Sequence, residues 1–177
     1  MTLFCFQGNE QPGLTALHTL WLREHNRITE QLNIINPNWG DEKLYQETRK
    51  IIIALNQHIT YNEFLPRVLG ENFMGLYNLQ LESEYFFGYD SQCQGDILNE
   101  FATAAFRFGH TLITDDFKLS GSLASMIINE VVNRKIKLRR HINNPDVVLS
   151  PMFLDELIKG FTEEPMVCNF QNSGFFF

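Results

Sequence analysis

The chain has 177 residues, 44% of them hydrophobic and 20% charged, with a formal net charge of −7. That length suits one domain able to bury a core, and that balance excludes a disordered chain. The negative charge argues against a nucleic-acid partner, which needs clustered Lys and Arg; the one basic run, Arg134–Arg140 (RKIKLRR), reads first as a solvated helix face.

The start, MTLFCFQGNEQ, has neither the basic n-region nor the apolar length of an export signal, and no run approaches the ~18–20 apolar residues of a transmembrane segment. Gln7–Gly13 is a polar turn. From Leu14 to Ile35, the residues Leu14, Leu17, Trp21, Ile28, Leu32 and Ile35 recur at helical spacing and predict one buried stripe. His18 and His25 fall on or beside it and read as hydrogen-bonded core histidines rather than ligands. Asn36-Pro37-Asn38 ends that helix with turn chemistry.

A second helix is expected from Asp41, whose Asp-Glu opening suits the positive end of the helix dipole. It is apolar on nearly every side around Ile51–Leu55, the pattern of a helix enclosed in a larger body. Pro66 and Gly70 punctuate its end. Met74–Gly95 lacks periodicity, and FFGYDSQCQG reads as an exposed loop. Cys5, Cys93 and Cys168 form no CxxC pair, so no zinc site is expected, and their odd number leaves at least one without an intrachain partner.

Asp96–Ile113 predicts a third helix with the stripe Ile97, Phe101, Ala104, Ala105, Phe108 and Leu112. His110 lies off that stripe, beside Gly109, where a missing side chain lets a flat group or another backbone approach. Pattern alone leaves three readings open for it: a cofactor ligand, a structural histidine or an exposed one, the structural reading being the commonest. Leu123–Val132 and Phe153–Phe161 suit two further helices, with a turn at His141–Pro145 between them. Thr162–Phe177, ending VCNFQNSGFFF, reads as a disordered or arbitrary tail. Phosphate loops, a GxSxG elbow and HExxH are absent, so no generic motif for nucleotide or hydrolytic chemistry is present.

Three segments carry a resemblance: NEQPGLTALHTLWLREHNRI (Asn9–Ile28), INPNWGDEKLYQETRKIIIALNQHITYNEFLPRVLG (Ile35–Gly70) and FATAAFRFGHTLI (Phe101–Ile113). Together they resemble the animal haem peroxidase superfamily. The resemblance covers Asn9–Ile113 well and Thr114–Phe161 more weakly, through SPMFLDELIKGF. It implies a mainly α fold: a fragment of the helical animal haem peroxidase fold, with three to six helices and irregular loops, in a single partial domain.

Carried over by position, the resemblance makes His110 the axial ligand of the iron of haem b. It makes Glu10 the carboxylate that forms an ester to a haem methyl. Gln7 stands where the family has its distal arginine, a substitution that removes a fixed positive charge. The implied reaction is reduction of hydrogen peroxide with oxidation of a small donor: a halide, a phenol or a tyrosyl group. The family's distal histidine, its calcium loop and the asparagine that accepts the proximal N–H are expected outside this chain. A second reading is therefore a non-catalytic haem-binding or interaction protein. The family is mostly secreted or vesicular.

Overall fold

The computed structural model describes residues 7–121, 134–144, 146 and 151–164. They form two compact units, one of residues up to Leu20 and from Asp96 onward, the other Trp21–Gly95. Helix α1, Pro12–Ile35, contributes its first part to the former and the remainder to the latter. The expected helices over Leu14–Ile35 and from Asp41 are present, and the chain is mainly α. Leu123–Val132, Cys5, Cys168 and most of the C-terminal tail lie outside the described residues.

In the first unit, Pro12 opens α1 where a missing N–H costs nothing, and the Gln11 side-chain oxygen accepts the Gly13 N–H at 2.6 Å. The chain returns through two short antiparallel strands, β1 (Asp116–Leu119) and β2 (Arg134–Lys137), in the register Phe117↔Ile136. They precede helix α6, Pro151–Glu163, which covers the expected Phe153–Phe161 helix and extends two residues into the stretch read as tail. Leu154 and Leu157 on α6 pack with Ala16 and Leu119. Phe117 and Phe161 meet edge-on, ring centres 5.3 Å apart.

The basic run is not one helix face: its first four residues are a strand and Leu138–Arg140 a short 3-10 turn. Arg134–Lys137 is a strand whose charges are met one by one: Arg134 by the buried Glu156 at 3.2 Å, Lys135 by Glu164 at 3.1 Å, Lys137 by Asp116 at 2.6 Å. Pairing with Phe117 gave Ile136 a reason to alternate inward that a helical reading of so short a segment does not reveal.

Gly160 is required where α6 meets β1. A Cβ there would collide with the carbonyl oxygen of Lys118. The adjacent strand end hydrogen-bonds the helix directly, the Ser120 N–H donating to the Glu156 carbonyl at 2.9 Å. Lys118 also pairs with Glu163 at 2.8 Å.

In the second unit, α1 meets α2 (Asp41–Ile59) through polar groups. Thr29 and the fully buried Thr48 share a hydrogen bond at 3.0 Å, and the His25 and Tyr45 rings lie 5.4 Å apart. The expected apolar stripe of α1 is only partly covered: Leu14, Trp21, Ile28 and Leu32 are half-buried. Leu17 and Ile35 are exposed, whereas Pro12, Gly13, Thr15 and Ala16 are buried. Helix α2 passes into a π turn, Thr60–Phe64, and then α3, Leu65–Leu69. Pro66 explains the widened turn, because its ring crowds the preceding turn and it offers no N–H to continue the ladder. Gly70 ends α3 at φ 77°, a conformation open to glycine. Helix α4, Glu71–Leu76, stops at Asn78 in the left-handed region, with the Leu79 N–H bonded to the Met74 carbonyl. The residues after it form the expected exposed loop.

Ile51, Ile53, Leu55, Ile59 and Phe64 are 38–43% exposed, so the apolar girdle of α2 and its π turn is only partly covered among the described residues. No helix of the described residues is long and apolar enough to cross a membrane.

Two outcomes follow from the α6–β1 contact. Gly160→Ala should lower stability by about 1–3 kcal/mol in urea unfolding, whereas Gly109→Ala, where nothing lies within 4 Å of the added methyl, should not. Hydrogen bonding from Lys118 holds the Glu163 carboxyl below its ordinary 4.5, and Lys137 does the same for Asp116 below its ordinary 3.8. Carboxylates with lowered folded values stabilise the fold above their ordinary range and cease to as pH falls through the folded value. Acid unfolding of the wild type should therefore show a stability loss below about pH 4 that Glu163→Gln flattens, read by circular dichroism.

Candidate functional site

The His110 segment is not one helix. Helix α5 covers only Asn99–Thr103, the backbone breaks at Ala104 (φ −130°, ψ −67°), and Ala105–Leu112 continues as a 3-10 helix. The expected stripe has no buried partner: Ile97, Phe101 and Phe108 are all exposed. An unsupported stripe gives a weak α-helix little reason to persist, and 3-10 geometry places residues three apart on one face. Arg107 and His110 thereby come one turn apart on the same face. The Arg107 Nε donates to the Ala102 carbonyl at 3.3 Å.

His110 is exposed, and its ring makes no hydrogen bond among the described residues. It lines an open depression of about 380 Å³ with Ile113, Thr114, Asp115, Leu138, Arg139 and Ile142. Asp115 assembles this depression. Its side chain accepts the Arg139 N–H at 3.2 Å and pairs with the Arg139 guanidinium at 3.0 Å, while its backbone carbonyl accepts the Leu138 N–H at 2.7 Å. One residue thus clamps the chain after β2 beside the chain leaving His110.

Glu10 reaches the same turn from the other direction. Its carbonyl accepts the Asn143 N–H at 2.9 Å, and its side chain is exposed. The turn His141–Asn144 therefore has Ile142 in the depression and Asn143 bonded to Glu10. Gln7 opens the short 3-10 turn Gln7–Asn9 ahead of Glu10. Gly8 in that turn is buried against the His18 ring, which a Cβ would meet at 3.5 Å. His18 is itself exposed rather than a core histidine.

His25 is half-buried. Its Nδ1 lies 3.4 Å from the Thr29 hydroxyl, and its buried Nε2 has no partner among the described residues. The same holds for Nδ1 of the half-buried His141. Among the described residues, no group of three or more His, Cys, Asp and Glu is placed to hold a bare metal ion. The depression suits a different ligand. An unbonded imidazole beside Ile113, Leu138 and Ile142, with open space over Gly109, fits a flat apolar group that brings its own metal. Leu138, Arg139 and Ile142 were not legible as site residues, because they reach His110 only through the strand pair.

The family model for animal haem peroxidases matches residues 3–173. A peroxidasin homolog of Mus musculus is 53% identical over 107 residues, covering 60% of this chain and 7% of that protein. A peroxidasin homolog of Caenorhabditis briggsae is 39% identical over 166 residues, covering 90% and 12%. The chorion peroxidase of Aedes aegypti is 36% identical over 168 residues, covering 92% and 20%. Among solved structures, peroxidase A from Dictyostelium discoideum superposes with a TM-score of 0.68 at 33% identity, covering 86% of this chain and 26% of that one. The chain thus spans a small part of the curated relatives it matches.

Proposed function

The chain belongs to the animal haem peroxidase family, and on that premise we propose that it carries the iron-binding part of a haem-dependent peroxidase. The reaction is reduction of hydrogen peroxide with oxidation of a halide, a phenol or a tyrosyl donor. His110 carries this reading: it is an exposed imidazole, unbonded among the described residues, at the edge of a partly apolar depression. Bound haem b would supply the redox chemistry.

The chain's own residues hold and shape. His110 offers a neutral ring nitrogen to the iron. Ile113, Leu138 and Ile142 give apolar contact, and Asp115 keeps the Leu138–Arg139 wall in place. Glu10, whose backbone is bonded to the turn that carries Ile142, is the carboxylate assigned to the ester with a haem methyl. Calcium binding and a secreted or vesicular location belong to the same proposal for the intact protein, on the family resemblance.

Gln7 favours a second reading. An amide in the arginine's position can hydrogen-bond peroxide, but it cannot place a fixed cation beside the O–O bond. With that charge missing, the chain would bind haem without activating peroxide.

Haem titration of the purified chain separates these readings. Wild type should give a saturable Soret shift that His110→Ala removes or moves; an identical spectrum from the variant would contradict the assignment. Phenol oxidation by the haem-loaded chain well above that of free haem supports the peroxidase reading. A rate at the free-haem level that Gln7→Arg raises by about tenfold or more supports the non-catalytic one.

A further inference from the structure

The exposed loop after α4 carries a second surface, remote in chemistry from haem. From Val68 to Gly95 the chain contains Glu71, Glu82, Glu84 and Asp90 but no Lys, Arg or His. None of these carboxylates joins an ion pair among the described residues. Tyr85, Phe87 and Tyr89 are 89%, 91% and 85% exposed. Aromatic rings at that exposure, at alternate positions of one loop, offer apolar surface to a partner.

The loop has its own local supports. The Phe86 ring lies over Gly88, so closely that a Cβ there would stand 2.6 Å from Cζ. Beyond it, the Asp90 carboxylate accepts the Gln92 N–H at 2.8 Å, and the Asp90 carbonyl accepts the Cys93 N–H at 3.2 Å. Ser83, Glu84, Tyr85 and Phe87 line an open depression of about 430 Å³. Glu84 thus shares one depression with two aromatic residues, and carboxylate with aromatic rings is a combination that holds an organic cation: the ring faces attract the charge and the carboxylate neutralises it.

We propose that this depression and the aromatic loop around it dock a basic polypeptide segment, with a lysine or arginine side chain seated between Glu84, Tyr85 and Phe87. A polypeptide fits better than a free small cation, because a cation filling the depression would leave Tyr89 uncovered. The aliphatic stems of Lys and Arg cover aromatic surface while their heads reach carboxylate. A second copy of this chain is the wrong partner on charge. Its net charge is −7, and its basic strand is already engaged by Glu156, Glu164, Asp115 and Asp116.

The test is fluorescence anisotropy of a labelled, end-capped peptide alternating Gly with Lys and Arg, titrated with the full chain. Saturable binding is expected, weakened by added NaCl, and reduced about tenfold by Glu84→Gln and by Phe87→Ala. Both residues are exposed, and unchanged circular dichroism would show that the variants fold. The proposal is overturned by the absence of saturable binding, or by wild-type affinity in both variants. Equal binding of the peptide with Gln in place of Lys and Arg also overturns it, as does methylguanidinium binding as tightly as the peptide. Sedimentation showing self-association that Phe87→Ala abolishes would assign the surface to a second copy instead.

Discussion

The close approach of α6 to β1 is the constraint on which the first unit depends. Gly160 lets the helix touch the Lys118 carbonyl, and the Ser120 N–H reaches the Glu156 carbonyl. That approach brings Leu154 and Leu157 onto Leu119 and Ala16. It also holds β1, and through β1 its partner β2. The strand pair, together with the Asp115 bonds to Leu138 and Arg139, returns the Leu138–Ile142 segment to the chain leaving His110. Helix docking and site geometry are thus one problem, solved by a glycine and a handful of backbone hydrogen bonds.

Charge serves the same arrangement. Glu156, Glu164, Asp116 and Asp115 meet Arg134, Lys135, Lys137 and Arg139 of the basic run across the strand pair and α6. Apart from the pair with the buried Glu156, these are exposed pairs, which contribute little energy each. Their value is positional, since Asp115 binds the backbone of Arg139 as well as its guanidinium. The second unit shows the opposite balance. Its loop acids stand without ion pairs among the described residues, beside aromatic rings left in water.

Long periodic segments were legible in the sequence: α1, α2 and α6 lie where spacing placed them. The deepest positions of α1 were less so, because Thr15 is buried with its hydroxyl bonded to the Gln11 carbonyl, which an apolar pattern does not register. The Asp96–Ile113 helix had a sound period yet breaks at Ala104, where Ile97, Phe101 and Phe108 of its stripe stay exposed rather than buried in a core. The strands are four residues each, one of them almost wholly basic, too short and too charged for a pattern. The depression around His110 depends on contacts more than twenty residues apart in sequence, as between Asp115 and Arg139. Residue spacing alone left the histidine's role open; the resemblance carried by FRFGHTLI raised it, and the depression gave it surroundings.

The central claim is that His110 binds haem iron, and direct observation of the iron–histidine bond tests it best. Resonance Raman spectra of the ferrous haem-loaded chain should show an iron–histidine stretching band in wild type and in His141→Ala, and none in His110→Ala. A band that survives in His110→Ala and disappears in His141→Ala would move the iron to the neighbouring turn and contradict the account.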